Sequence, residues 1–294
     1  MRKDFGLLLV DKPVGPTSHR VVHRVRQGTG IRKVGHAGTL DPRASGLLIL
    51  CLGAATRLSE YISTSSKCYE AVVRFGAATR TYDGDGEIIR RSSEIPSRGQ
   101  VEAALPAFTG EIRQVPPPFS AVKIAGQRAY DLARSGKDVD LDPRTVTIYS
   151  LQVREYQPPD LALEIECSSG TYIRSLAHDL GERLGCGGFL SVLRRTKAGP
   201  FRLDQAVTLD RLERAFIDGT WPSLVRPPLE ALPELTRLPL DAEQADRVRL
   251  GHSVDAAPSS QGLACALDPQ GELVAILEAT NGGQQWHPRK VFLE

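Results

Sequence analysis

Two alternating stretches, Val146 to Val153 and Leu161 to Cys167, follow one another directly in the middle of the chain, before a helix-period pattern opens at Gly170 and Thr171. Apolar residues two apart mark strands with one buried face. A parallel doubly wound sheet would place a helix between such strands, so this order predicts an α+β fold. A further alternating run, Lys67 to Phe75, sets Tyr69, Ala71, Val73 and Phe75 on one face. The helix after Gly170 carries Tyr172, Ile173, Leu176, Ala177, Leu180 and Leu184 on its buried side.

The chain has 294 residues, 41% hydrophobic and 24% charged. That is enough apolar material for one large domain and one small one without staples, and it excludes disorder for the bulk. Five prolines between Pro222 and Pro239 mark a linker, so residues 1–230 are expected to form the main domain and residues 235–294 the small one. The tail reads as a short helix (Asp241 to Leu250) and a hairpin, Leu263 to Leu267 and Leu273 to Leu277, about Asp268-Pro269-Gln270-Gly271. It is a mainly β module.

The apolar run Leu47 to Ala55 is far short of the ~18 residues of a membrane-spanning helix. Asp11 and Lys12 close the run Leu7 to Val10 before it reaches signal-peptide length, so a cytoplasmic location is expected. Five cysteines, scattered and without a C-x-x-C pair, read as reduced packing residues with no zinc site.

At the N-terminus, Phe5 to Val10 reads as a buried strand and Thr17 or Ser18 caps a helix with Val21, Val22 and Val25 as its apolar stripe, ended by Gly28 and Gly30. His19 and His23 on that helix stand four apart but lack a third ligand, so they read as solvated or phosphate-facing. Residues 35–46 read as a glycine-framed loop that can hold one side chain outward at a fixed angle. Thr56 to Ile62 and Val101 to Phe108 look helical, and residues 116–144, with a helix around Arg128 to Ser135, look like an excursion between core strands.

Formal net charge is only +2, but it is segregated. Residues 1–60 hold ten Lys and Arg against four acids, a net +6; residues 171–202 sum to +4 and residues 203–294 to −6. Two basic stretches suggest a cationic surface able to meet a phosphate backbone, or equally two solvated faces. There is no G-x-x-x-x-G-K-[ST], no strand-bound G-x-G-x-x-G, no H-E-x-x-H and no G-x-S-x-G, which excludes the common nucleotide, nicotinamide, zinc-protease and serine-hydrolase sites. Asp83, Asp85 and their glycines lack the terminal Glu of a calcium loop.

Two residues remain as candidates for chemistry. Asp41 sits in the glycine-framed loop among Arg32, Lys33, His36 and Arg43, cations that favour an ionised acceptor or nucleophile, although Asp-Pro is also a common turn starter. Arg174 falls in the first turn of its helix, where the macrodipole disfavours a cation; a carboxylate such as Asp41, or a phosphate, would offset that, as would exposure to solvent.

The stretch G-H-A-G-T-L-D-P-R-A-S-G-L-L at 35–48 resembles the signature loop of the TruB family of tRNA pseudouridine synthases. Other landmarks of that family appear in order: D-K-P-x-G at 11–15, K-x-Y at 67–69, T-x-T-x-D-x-x-G at 79–86, P-P-x-S-A-x-K as Pro117-Pro118-Phe119-Ser120-Ala121-Val122-Lys123, S-x-G-T-Y-I-R at 168–174 and L-R-R-T at 193–196. The resemblance implies a mixed, largely antiparallel sheet core of the pseudouridine synthase type, an inserted RNA-contacting arm at 116–144 and a small PUA-like C-terminal domain at 235–294.

It also implies an enzyme that isomerises the uridine at position 55 in the T arm of tRNA. By the same likeness Asp41 is the catalytic aspartate, Tyr69 stacks on the target base and is placed for proton transfer, and Arg174 pairs with the aspartate. Leu193 lines the pocket, His36 enters the space vacated by the flipped base, and Asp83 lies near the nucleotide, with Lys67, Gly38 and Thr39 from the same motifs at the substrate. The reaction breaks a C1′–N1 bond and makes a C1′–C5 bond with no redox change, so no metal or cofactor is expected. Base extrusion costs a few kcal/mol, which a wedge and a stacking platform can offset.

The expected partner is tRNA alone, with a monomeric enzyme and no obligate protein partner. The alternatives are a guide-RNA-dependent relative of the dyskerin type, disfavoured by the absence of long basic extensions, and a non-catalytic RNA-binding or RNA-folding protein on the same scaffold. The acidic tail argues against extensive phosphate contact there, apart from a local one through Trp286, His287, Arg289 and Lys290.

Overall fold

The computed structural model describes residues 4–120, 122–124, 127–128, 141–257 and 259–292. The chain opens with β1 (Gly6–Lys12), α1 (Ser18–Thr29), β2 (Val34–Ala37), β3 (Ala44–Leu52) and α2 (Ser59–Ser63). It continues with β4 (Lys67–Phe75), β5 (Ala77–Thr79), β6 (Ile88–Arg91), α3 (Arg98–Ala104), β7 (Gly110–Gln114) and the short strands β8 (Lys123–Ile124) and β9 (Gln127–Arg128). Next come β10 (Arg144–Gln157), β11 (Asp160–Cys167), α4 (Ile173–Arg183), β12 (Gly188–Ala198), β13 (Phe201–Arg202), β14 (Val207–Thr208) and α5 (Leu209–Ile217). The tail holds β15 (Thr236–Pro239), α6 (Ala242–Arg249), β16 (Val254–Asp255), β17 (Leu263–Leu267), β18 (Leu273–Thr280) and β19 (Gln285–Val291). No helix among the described residues is long and apolar enough to cross a membrane.

The chain divides into two compact units, one of Met1–Asp41, Leu47–Ser63 and Gly199–Glu294, the other of Pro42–Gly46 and Thr64–Ala198. In the second unit, β12, β4, β11, β10 and β7 are antiparallel neighbours, and the opening residues of β3 pair with β12 in parallel, Leu193 opposite Ala44 and Arg195 opposite Gly46. The sheet is therefore mixed and largely antiparallel. The alternation that announced these strands is an alternation of burial: Tyr69, Ala71, Val73 and Phe75 on β4 and Leu161, Leu163, Ile165 and Cys167 on β11 are buried. Helix α4 seals one face with Ile173, Leu176, Ala177 and Leu180, and it lies close because Gly181 approaches Gly188, where an added Cβ would meet the Gly188 nitrogen.

In the first unit, α1 forms where the valine stripe predicts. Thr17 Oγ1 accepts from the Arg20 amide at 3.1 Å, Val21, Val22 and Val25 are buried, and Gly30 ends the helix at φ 74°. Gly28 leaves room for the Phe216 ring of α5, and Arg24 reaches Glu213 at 2.7 Å on the same helix. Strand β1 pairs in parallel with β14. The 35–46 segment is not wholly a loop: its first residues belong to β2, paired antiparallel to β3 with His36 opposite Leu50, and its last three residues open β3. The irregular part is only 38–43, because backbone pairing captures the glycine-containing ends.

The tail is a five-stranded sheet in the order β15, β17, β18, β19, β16, around Ala264, Ala266, Val274, Leu277 and Trp286. The predicted tetrapeptide makes its turn: the Gly271 amide donates to the Asp268 carbonyl at 2.8 Å, while Asp268 Oδ1 accepts from the amides of Gln270 and Glu272. The proline-rich stretch is packed rather than loose. Arg226 and Leu7 exchange backbone hydrogen bonds at 2.8 and 3.0 Å, and Val225, Ala231 and Leu232 are buried, because the apolar residues among the prolines have a core to enter. The helix expected around Arg128 to Ser135 lies almost wholly outside the described residues.

None of the five cysteines forms a disulfide. Cys51, Cys167, Cys186 and Cys265 are buried, and burial pushes the Cys51 and Cys167 thiols up to about 12 and the Cys265 thiol to about 11. Cys68 is half-buried. A thiol reagent at neutral pH should label Cys68 first and reach the other four at the rate of unfolding; mass mapping of the labelled peptides before and after denaturant checks this.

Candidate active site

Asp41 is the last residue of its unit, and the backbone just before it is clamped. Ser18 Oγ donates to the Leu40 carbonyl at 2.9 Å and accepts from the Leu40 amide at 2.8 Å. Leu40 itself is buried, at 3% exposure, so side chain and backbone together anchor the residue preceding the carboxylate. Gly38, at φ 92°, takes the left-handed turn that brings the chain out of β2, a conformation that costs an L side chain about 1–2 kcal/mol. His36 stands at the end of β2 and is partly exposed, Thr39 is exposed, and Asp41 is half-exposed. One peptide bond further, Pro42 and Arg43 begin the second unit, where Arg43 meets Asp85 at 2.7 Å.

Beyond Arg43, Gly46 has φ 100°, and a Cβ there would strike the Arg195 carbonyl oxygen and lie 2.7 Å from the Arg195 nitrogen. Only glycine allows β3 to begin against β12. Lys12 is also organised by backbone: its Nζ donates to the carbonyls of Pro13 and Pro16 at 2.8 and 2.9 Å with the side chain fully buried, which accounts for the D-K-P-x-G sequence as a turn brace.

The second unit gathers most of the other candidates. Lys67 and Tyr69 lie on the buried face of β4, with Tyr69 9% exposed, and Arg195 pairs opposite Tyr69 across β12 while Leu193 pairs opposite Ala71. Lys67 donates to the Ser65 carbonyl at 2.5 Å. Burial first, and then the Arg195 guanidinium, lower its pKa from 10.5 to about 8. Arg195, at 1% exposure, is a buried cation that motif reading touched only through L-R-R-T.

Arg174 is 7% exposed and answers the dipole anomaly by direct contact. Its Nη1 donates to the Thr81 carbonyl at 3.1 Å, its Nη2 to the Phe119 carbonyl at 3.0 Å, and Asp83 Oδ2 lies 3.7 Å away. The carboxylate set against it within its unit is thus Asp83. Asp83 is oriented in turn by Thr81 Oγ1 at 2.5 Å and the Asp85 amide at 3.1 Å on Oδ1, while Thr79 Oγ1 donates to its carbonyl at 2.7 Å. Gly86 closes the turn because a Cβ there would lie 2.7 Å from the Thr81 nitrogen. The spacing T-x-T-x-D-x-x-G is therefore a device for aiming one carboxylate.

Helix α4 begins without a side-chain cap of its own; instead buried Gln114 of β7 accepts from the Tyr172 amide at 2.8 Å and donates to its carbonyl at 3.0 Å. Ser175 Oγ donates to the Val115 carbonyl at 2.7 Å. These contacts tie the entry of the 116–144 segment to the helix that carries Arg174. Neither Gln114 nor Ser175 belongs to a motif whose chemistry could be read from sequence, since both act across 58 or more residues.

Within the second unit, a buried tyrosine and a buried arginine facing a carboxylate are suited to charge stabilisation. The family models agree with the residues: the TruB family pseudouridylate synthase N-terminal domain matches residues 26–173, the tRNA pseudouridylate synthase B C-terminal domain residues 174–235, and the tRNA pseudouridine synthase II C-terminal domain residues 235–293. The chain belongs to the TruB family of pseudouridylate synthases. Among similar TruB relatives, "tRNA pseudouridine synthase B" of Cereibacter sphaeroides is 43% identical over 98% of this chain and 96% of its own length. The protein of the same description from Thermobifida fusca is 45% identical over 95% of this chain and 96% of its own. A solved Cbf5-Nop10-Gar1 complex contains a chain 28% identical, with a TM-score of 0.76 over 99% of this chain and 86% of that one.

Two outcomes follow from the TruB site geometry. Gly46→Ala should lower the unfolding free energy by about 3 kcal/mol or prevent folding, read as a fall in denaturant midpoint, because strained φ and a backbone collision add. Lys67 has a folded pKa below its unfolded value, so its charge burdens the folded state below about pH 8 and the burden fades as pH rises towards 10.5. The stability of Lys67→Met relative to wild type should therefore be greatest near pH 7 and decline towards pH 10, measured by thermal midpoints of both proteins across that range.

Proposed function

We propose that this chain converts uridine 55 in the T arm of tRNA to pseudouridine, acting as a stand-alone cytoplasmic monomer without guide RNA, metal or cofactor. The observation that carries the reading is its likeness, over nearly its whole length, to curated relatives described as tRNA pseudouridine synthase B, together with the motif residues gathered on β4, β12 and α4. A chain of an H/ACA RNP bound to a substrate RNA containing 2′-deoxyuridine is more distant, at 26% identity.

In this reading the target uridine is extruded, His36 fills its place in the stack, and the base lies against Tyr69 with Leu193 below it. Gly38 and Thr39 let the loop approach the nucleotide, and Lys67 supports the strand that presents Tyr69. Asp41 supplies the anionic oxygen that attacks the nucleotide covalently or promotes elimination to a glycal. Arg174 stabilises the negative charge of Asp41 and Asp83. The uracil, freed at N1, turns in place and rejoins the sugar through C5, with the C5 proton removed and one proton returned to N1.

The C-terminal module at 235–294 adds little phosphate contact. Its Lys290 is engaged by Glu60, lies 5.7 Å over the Tyr61 ring and donates to the Arg57 carbonyl, and its Arg289 meets Glu278 at 3.4 Å. The main domain carries the binding.

Incubated with an unmodified tRNA transcript, the purified chain should place pseudouridine at position 55 with no added guide. Asp41→Asn should lower the single-turnover rate by at least about a thousandfold while the transcript's dissociation constant stays within about threefold, since the carboxylate does chemistry and phosphate contacts set affinity. Wild-type turnover by that variant would refute the assignment.

A further inference from the structure

Residue 82, the variable position inside T-x-T-x-D-x-x-G, is a tyrosine with φ 63°. A non-glycine residue in that region costs about 1–3 kcal/mol, and glycine would adopt the same backbone at no such cost. Some other contact must offset the strain, and the structure shows one: the Tyr82 ring lies flat on the imidazole of His178, centroids 3.8 Å apart and planes 5° from parallel. The imidazole is held there by the stack, for His178 Nδ1 is buried without a hydrogen-bond partner among the described residues. Both rings lose water in this arrangement; burial pushes the Tyr82 phenol up and the His178 imidazole down, so two neutral rings face each other.

The placement matters because of what flanks it. His178 stands four residues after Arg174 on α4, one turn along the same face. Arg174 grips the carbonyl of Thr81 and faces the carboxylate of Asp83; between those two residues lies Tyr82, whose carbonyl accepts from the Leu190 amide at 3.0 Å. Leu190 also accepts from the Gly84 amide at 3.1 Å. The turn is thus fastened to α4 twice, by guanidinium and by ring, and to β12 by backbone on either side of Asp83. Without the stack, the left-handed residue would be free to relax and rotate the next side chain, Asp83, away from Arg174.

We infer that Tyr82 and His178 form a positioning pair that holds Asp83 and Arg174 in the arrangement needed for turnover. Neither ring touches the reacting atoms. The inference rests on the reading that Arg174 and Asp83 belong to the active site.

The test uses the full chain, an unmodified tRNA transcript, single-turnover rates at saturating enzyme, and dissociation constants by filter binding. Tyr82→Ala and His178→Ala should each lower the saturated rate about tenfold, the scale of a lost aromatic pair, with dissociation constants within about twofold of wild type. Tyr82→Phe, which keeps the ring and removes only the hydroxyl, should restore the rate. Tyr82→Gly relieves the strain yet should still be slow, and it serves if Tyr82→Ala folds poorly. The double Ala variant should be no slower than either single one, because both remove the same contact. Wild-type rates in Tyr82→Gly and His178→Ala, a loss confined to affinity, or failure of Tyr82→Phe to rescue would each overturn the inference. Asp41→Asn assayed in parallel separates the two failures: an active Asp41→Asn refutes the active-site reading, whereas an inactive Asp41→Asn beside fully active Tyr82 and His178 variants refutes the positioning pair alone.

Discussion

The parallel pairing of Ala44–Gly46 with Leu193–Arg195 is the constraint on which the 38–43 segment depends. It is possible because Gly46 has no side chain to collide with the Arg195 backbone. The pairing fixes where the loop that carries Asp41 must end, and Ser18, bonded twice to Leu40, fixes the backbone just before Asp41. Between these two anchors the chain has few degrees of freedom left, so the cost of ordering Asp41 is met in folding.

A second arrangement of the same kind holds Arg174. A guanidinium in the first turn of a helix opposes the macrodipole, and the surrounding structure offsets this with two carbonyls and a carboxylate contributed by the 79–86 turn and by Phe119. Several motifs that look separate along the chain are therefore one construction. T-x-T-x-D-x-x-G aims Asp83, S-x-G-T-Y-I-R presents Arg174, and Val115 and Phe119 are tied to the first turn of α4. Because these groups are buried or nearly so, each hydrogen bond limits the rotation of the next, and removing one disturbs its neighbours more than its own energy suggests.

Buried charge recurs between β4 and β12. Lys67 and Arg195 stand near each other at low exposure, and the pKa of Lys67 falls to about 8 in consequence. Such a pair costs stability, a common feature of functional sites. The C-terminal module shows the opposite economy: its exposed Arg289 and half-buried Lys290 are occupied by acids of the chain itself, which agrees with its net negative charge.

Local pattern alone determined the strands β4, β10 and β11, helix α1 with its Thr17 cap and valine stripe, and the Asp268 turn, because periodicity and turn chemistry act over a few residues. Local charge and helix position singled out Asp41 and Arg174 as candidates, and motif likeness gave them roles and added Tyr69. Tertiary structure decided what no window of sequence contains: that the ends of the 35–46 segment are strand, that the proline-rich stretch packs against Leu7, that Gln114 caps a helix 58 residues away, and that Tyr82 lies on His178. Each of these is a contact between residues far apart in the chain, whose energy is gained only once the sheet has brought them together, and so none leaves a periodic or compositional trace.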